Sequence, residues 1–194
     1  DAPENTSGTV LAGVKAAGLI VIGRTNMPEF AFSGLGTNAH YGDEGCPCRH
    51  GPEDITKRRV AGGSSSGSAV SISDGMAPAT IGSDTGGSTR APAAFCGIVG
   101  LKPTTTRMPS DGIFPLSRSF DAAGPMANTV SCCAILDSLM AGGSGKDEPA
   151  FAVKGRRPAL PNAYLFEELY PHVARSLAAE IARVLLSGAC HRHI

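Results

Sequence analysis

The sequence predicts an α/β fold, a mixed β-sheet core flanked by helices on both faces. Short apolar runs bounded by glycine, such as Leu19-Ile20-Val21-Ile22, have the length and continuity of strands buried on both sides. Segments with apolar residues three and four apart alternate with those runs, as helices do in α/β chains. The connections add a third observation. The 194 residues include 25 glycines and 14 prolines, a fifth of the chain against an average of about 12%. The glycines cluster at the ends of apolar runs, at Gly62-Gly63, Gly86-Gly87 and Gly97 to Gly100, which reads as tight turns rather than flexible linker.

The elements follow in order. Val10, Leu11 and Val14 mark one face of a helix over residues 8–17, and Gly18 stops it before the strand at 19–22. Residues 26–41 read as loop with a short helix at 28–32. Residues 43–60, with the basic cluster Lys57-Arg58-Arg59, read as an exposed loop whose charges meet solvent. Residues 69–76 suit a helix, 79–81 a short strand, and Asp84-Thr85-Gly86-Gly87-Ser88 a tight turn after it. A buried strand is expected at 98–101, an apolar helix at 130–140 closed by Gly142-Gly143, and a polar linker at 144–148. Val173, Leu177, Ile181, Val184 and Leu185 place a last helix over 171–186. Aromatics are only 5% with no Trp, so the core is expected to be small aliphatics packed closely. Residues 1–143 are expected to form the core, and 144–194 a linker and helical segment of the same, incomplete domain.

Composition excludes several functions. The formal net charge of +0 gives no electrostatic footprint for nucleic acid and no polybasic membrane signal. No apolar run approaches the roughly 20 residues of a membrane-spanning helix. The opening Asp1-Ala2-Pro3-Glu4-Asn5 has no basic or apolar leader region, so the expected location is the cytoplasm. The six cysteines show no disulfide framework, and thiols in a reducing compartment are the expected state. Cys46-x-Cys48-x-His50 invites a zinc reading, but no second ligand pair follows at a finger-like spacing, so no metal is expected.

Two glycine–serine segments stand 24 residues apart when counted from Ser64 to Ser88. The first, Gly62-Gly63-Ser64-Ser65-Ser66-Gly67-Ser68, suits a linker, a helix cap or an anion cradle. A nucleotide phosphate loop would need Gly-Lys-Ser/Thr, and no lysine follows these glycines. The second, Asp84 to Arg90, suits a nucleophile: adjacent glycines let several amides converge on one oxyanion, with Ser88 as the attacking hydroxyl. A histidine base is unsupported, because His40, His50, His172, His191 and His193 all fall in segments read as loop-like or terminal. Arg90 also stands where a nucleophile elbow has its second glycine.

These motifs together resemble the amidase signature family. The match runs through Gly62 to Ser68, then Gly82-Ser-Asp-Thr-Gly-Gly-Ser-Thr-Arg90, Pro92-Ala-Ala-Phe-Cys-Gly97 and Gly100-Leu-Lys-Pro-Thr104. Flanking agreement comes from Gly23-Arg-Thr-Asn-Met-Pro-Glu-Phe30, Leu116-Ser-Arg-Ser-Phe-Asp121 and Gly124-Pro-Met126. The resemblance covers residues 8–143 and implies a Ser–cis-Ser–Lys triad on an amidase-signature-like fold. Ser88 matches the nucleophile, and Ser64, after an expected cis bond from Gly63, matches the proton relay. The amides of Thr85, Gly86, Gly87 and Ser88 match the oxyanion hole. Ser65 matches a serine that supports the lysine. Asp84 and Arg90 are expected to be structural partners around the turn, and Lys102 to be structural. No cofactor is implied.

Two departures stand beside the match. The family's base lysine lies in a Lys-Asp-like motif further back than Asp1, and Lys15, Lys57, Lys102, Lys146 and Lys154 do not match it. The chain is therefore expected to be an internal fragment or truncated reading frame, with the lysine outside this sequence. Cys46-Pro47 and Ala61 stand where the family has Asn-Pro and Pro. The implied function is hydrolysis of a carboxylic amide through a seryl acyl-enzyme, releasing ammonia or an amine from a small-molecule substrate. The alternatives are the glutaminase-like component of a tRNA-dependent amidotransferase, or a catalytically inactive fragment. Ser64 to Ser68 with Ala-Val-Ser, and Phe114-Pro115-Leu116-Ser117, look closer to stand-alone amidases. No direct nucleic-acid or membrane contact is expected, and a homodimer stays open.

Overall fold

The computed structural model describes residues 7–48, 59–146, 152–160 and 166–189, with the backbone of 192–193. The chain divides into two units, Asp1–Asp147 and Glu148–Ile194.

Alternation along the strands builds the first unit. Strands β1 (Ala79–Asp84), β2 (Val99–Gly100) and β3 (Ala122–Ala127) form a sheet in the order β1-β3-β2. The central β3 is antiparallel to both neighbours, with Ala79 opposite Ala127, Asp84 opposite Ala122, and Val99 opposite Ala127 on the other side. Successive side chains leave a strand on opposite faces. Ala79, Ile81 and Ala123 accordingly pack with Val10 and Val14 of α1 (Thr9–Ala16) and with Leu136 and Met140 of α4 (Val130–Met140). Met126 points the other way, into Ala69 of α2 (Ser66–Ser73), Ala93 and Cys96 of α3 (Arg90–Cys96), and Ala61. Helices thus cover the sheet on both faces, the layering that the sequence pattern predicts.

The α4 and α5 (Pro171–Leu186) boundaries coincide with the predicted ones, and the short helix expected at 28–32 is a 3-10 turn, Glu29–Ala31. Other elements differ. Residues 19–22 form no strand among the described residues, and their side chains are exposed: 38% at Leu19, 85% at Ile20, 47% at Val21 and 74% at Ile22. A strand needs a neighbour to complete its backbone hydrogen bonds, and none of the described strands lies against this run. The strand expected at 98–101 shrinks to Val99–Gly100, while the one expected at 79–81 extends to Asp84. The helix expected at 69–76 runs instead over Ser66–Ser73, so three of the seven residues of the first glycine–serine segment are helical. His172 is the second residue of α5 and not part of a loop. Of the basic cluster, Arg59 is exposed, and Lys57 and Arg58 lie outside the described residues, as do His50, Cys190 and His191.

The sequence pattern predicts neither β3 nor α3. Ala-Ala-Gly-Pro-Met-Ala has no β-branched residue, yet every residue of β3 is buried, so packing on both faces overrides propensity. Pro125 is tolerated in a central strand because its missing donor faces the β2 side. There the Leu101 amide, just past the end of β2, donates to the Pro125 carbonyl (3.1 Å). α3 carries Pro92 in its first turn, where no helical donor is required, and ends on Gly97 at φ 70°.

The second unit holds α5 and a parallel pairing of β4 (Ala159–Leu160) with β5 (Arg192–His193). In α5 the stripe Leu177, Ile181 and Leu185 is half-buried and no residue is fully buried. No helix among the described residues is long and apolar enough to cross a membrane.

Candidate active site

Two backbone segments meet at the C-terminal end of β1. The first runs from Ala61 into α2, and the second is the turn from Asp84 into α3. The Ser65 amide donates to the Ser88 carbonyl at 3.0 Å and joins them. The Ser65 hydroxyl extends the junction, donating to the Ser83 carbonyl (3.2 Å) and accepting from the Ser83 amide (3.3 Å). Gly82 makes that approach possible, since a Cβ there would fall 2.5 Å from Ser65 Oγ. Gly63 answers a second close approach: its amide donates to the Gly34 carbonyl (2.9 Å), and a Cβ on it would fall 2.5 Å from the Ser33 carbonyl oxygen.

The Gly63–Ser64 peptide bond is cis, as the resemblance implies. Ser64 and Ser66 are 0% exposed, and neither hydroxyl has a hydrogen-bond partner among the described residues. Buried hydroxyls are normally paired, so these two stand out from the rest of the segment. No described lysine reaches Ser64 Oγ.

The Asp84 turn is held from inside. Asp84, 0% exposed, accepts from the Gly87 amide (2.7 Å), the Thr89 amide (3.1 Å), the Thr89 hydroxyl (2.9 Å) and the Arg90 amide (3.4 Å). The Arg90 guanidinium adds a two-point contact, Nε to Oδ2 and Nη2 to Oδ1, both 3.0 Å. Burial alone would raise the Asp84 pKa, but hydrogen bonds from Arg90 and Thr89, with the Arg90 charge, hold it well below the usual carboxylate range. Hydrogen bonding to Asp84 raises Arg90 in turn. These two residues are thus structural partners, as expected from the sequence.

This arrangement separates the four amides matched to an oxyanion hole. The Gly87 amide is already taken by Asp84. Thr85, Gly86 and Ser88 remain as donors that a ligand oxygen could meet. Ser88 is half-buried at the start of this helical turn. Sequence reasoning assigns no role to Asp121. Its carboxylate accepts from the Thr85 hydroxyl and from the Leu116 and Ser117 amides, both 2.9 Å, and so anchors Thr85 to the loop before β3. The signal is an aspartate four residues after Ser117 in a loop, a spacing at which a carboxylate can bind nearby amides. Among the described residues no group of three His, Cys, Asp or Glu side chains could hold a metal ion.

The layers and the junction define a class: a helix–sheet–helix α/β protein whose cis-serine segment abuts a Gly-Gly-Ser turn. A family profile described as Amidase matches residues 1–163, and the chain belongs to the amidase family. It is 38% identical over 206 aligned positions to the A subunit of the glutamyl-tRNA(Gln) amidotransferase of Nitrosococcus oceani, covering 100% of this chain and 41% of that protein. Among solved structures it resembles the A subunit of the glutamyl-tRNA(Gln) amidotransferase of Thermotoga maritima. That likeness has TM-score 0.81 and 30% identity over 98% of this chain and 43% of the other. It also resembles the native peptide amidase of Stenotrophomonas maltophilia, with TM-score 0.71 and 30% identity over 97% of this chain and 41% of the other. The chain spans about two fifths of the length of the curated relative and of both solved chains.

Proposed function

We propose that the protein carrying these residues hydrolyses a small carboxylic amide through a seryl acyl-enzyme. The observation that supports this best is the junction of the Ser64 segment and the Ser88 turn through the Ser65–Ser88 backbone hydrogen bond. In this reading Ser88 Oγ attacks the amide carbon while its proton passes to Ser64, and the Ser64 proton passes to a neutral lysine. Such a lysine is not among the described residues; its pKa would be lowered by burial so that it can act as base. The oxyanion rests on the Thr85, Gly86 and Ser88 amides, held in place by Asp84 and by Asp121 through Thr85. Ser65 fixes the cis-serine segment and supports the lysine. Ammonia or an amine takes the returning proton and leaves, and water then frees the acid.

A fluorophosphonate probe on the full-length protein tests the assignment. Labelling is expected at Ser88 and lost in Ser88→Ala; labelling of another serine would overturn it. A second reading has a specific observation behind it, the identity to the A subunits of amidotransferases. In that reading the same serines release ammonia from glutamine within a larger assembly. Co-purification of partner chains together with glutamine-specific ammonia release decides for it, and release from simple amides by the protein alone decides against it.

A further inference from the structure

A cluster of three thiols behind the cis-serine segment is used by nothing above. Cys46 is half-buried, and its amide donates to the Arg59 carbonyl (2.8 Å) beside the antiparallel bridge of Gly45 with Val60. That bridge immediately precedes Ala61. The Cys46 thiol donates to the Phe95 carbonyl (3.1 Å), and the buried Cys96 thiol donates to the Ala61 carbonyl (3.5 Å). The Cys46 thiol therefore bonds the residue before Cys96, and the Cys96 thiol bonds the residue that follows the chain paired with Cys46. Cys46 packs against the apolar cluster that holds Cys96 and Ala61. Cys48 Sγ stands 3.6 Å from the point a Cβ on Gly97 would occupy.

We propose that Cys46 and Cys96 are an oxidation site, in which a hydroperoxide oxidises Cys46 and Cys96 closes the product to a disulfide. In the first step the Cys46 sulfur takes one oxygen from the hydroperoxide, giving a sulfenic acid and the alcohol (or water from hydrogen peroxide). The O–O bond accepts the two electrons that sulfur loses. In the second step the Cys96 sulfur attacks the Cys46 sulfur, the S–O bond breaks, and water leaves with the Cys96 proton. Accessibility sets the order: Cys46 is half-buried, whereas Cys96 is 2% exposed and shielded from an outside oxidant. Burial, then the neighbouring Cys46 and Cys48 thiols, push the Cys96 thiol up to about 12, so Cys96 stays a thiol and Cys46 is the sulfur that meets the oxidant.

The cross-link bears on the site because it replaces the two thiol hydrogen bonds, including the one from Cys96 to Ala61, by a covalent tie between α3 and the chain that pairs with the segment before Ala61. A Cβ on Gly62 would lie 3.1 Å from Phe95 Cδ2 and 3.1 Å from Pro92 Cα, so Ala61 and Gly62 sit directly on α3. Bringing two thiols to the disulfide length of about 2 Å pulls the segment before Gly63 against the end of the helix that begins just after Ser88.

The test treats full-length protein with hydrogen peroxide and maps peptides by mass spectrometry without reduction. A Cys46–Cys96 linked peptide is expected, cleaved by dithiothreitol and absent from both Cys46→Ser and Cys96→Ala. If Cys96→Ala does not fold, the half-exposed Cys46→Ser carries the test alone. A Cys46–Cys48 link, or overoxidation of Cys46 with no link, would overturn the proposal. The accompanying loss of amide hydrolysis, at least tenfold and reversed by dithiothreitol, rests on the amidase reading. The linked peptide does not, so a link without an activity effect would fault that reading's geometry and leave the oxidation site standing.

Discussion

In the turn after β1, one carboxylate gathers the Gly87, Thr89 and Arg90 amides, the Thr89 hydroxyl and the Arg90 guanidinium. In the cis-serine segment, 20 residues upstream from Asp84 to Ser64, the Ser64 and Ser66 hydroxyls are buried with no partner among the described residues. The contrast teaches a division of labour. The Asp84 turn is tied together by its own carboxylate and serves as a scaffold, whereas the Ser64 and Ser66 hydroxyls are bonded to nothing among the described residues. An unpaired buried hydroxyl costs stability, and a site tolerates that cost where the hydroxyl has a chemical task.

The largest expected effect breaks the comparison at its reactive end. Ser88→Ala in the full-length protein should lower kcat for amide hydrolysis by at least ~10³-fold, because a triad member acts as part of a unit. Ammonia release measured against wild type checks it, and an activity within tenfold of wild type would remove Ser88 from the nucleophile role. Ser64→Ala should cost less, ~10²-fold or more, since it deletes a proton-transfer step but leaves nucleophile and oxyanion donors in place. If Ser64→Ala retained wild-type turnover, its orphan hydroxyl would have no catalytic task.

Asp84→Asn probes the scaffold. The amide nitrogen would face the Gly87, Thr89 and Arg90 donors, so acceptors are lost where only donors converge. We expect a loss of about 2–4 kcal/mol, below the full penalty for a broken buried ion pair because Arg90 is 51% exposed. The folded-state pKa of Asp84 is depressed, so its contribution is fully present above the ordinary carboxylate value near pH 4 and drains as pH falls below it. The stability gap between wild type and Asp84→Asn should therefore be constant from pH 7 to about 5 and narrow between about 4 and 2. Urea midpoints across that range measure it, and a gap independent of pH would show that the Asp84 carboxyl titrates alike in the folded and unfolded states.

How far the sequence foretells these features depends on whether they are local. α4 is legible to its ends: its apolar spacing is continuous, the Thr129 hydroxyl accepts from the Cys132 amide (3.1 Å), and glycines follow it. The two serine segments are legible because glycines and serines in that order have few structural uses. β3 is not, since Ala122 to Ala127 becomes a strand only through burial on both faces. Residues 19–22 mislead for the opposite reason: the apolar run is there, but none of the described strands pairs with it. The capture of the Gly87 amide by Asp84 is also hidden, because a Gly-Gly turn does not say which amide a neighbouring carboxylate takes first.

The smallest effect sharpens the comparison most directly, by setting Ser65→Ala beside Ser66→Ala. Both serines are buried and adjacent, so burial and helix position nearly cancel between them. The Ser65 hydroxyl exchanges two hydrogen bonds with the Ser83 backbone, and its removal should cost about 1–2 kcal/mol. The Ser66 hydroxyl has no partner among the described residues. Its removal should leave stability unchanged or raise it by up to about 1 kcal/mol, because a desolvated donor is replaced by hydrogen at a tightly packed position. Alanine is also the better helix former at this first residue of α2. Thermal or urea unfolding of the two variants reads the sign. A Ser66→Ala loss as large as that of Ser65→Ala would mean that Ser66 is bonded to a part of the protein outside the described residues, and the orphan hydroxyl at this junction would then be Ser64 alone.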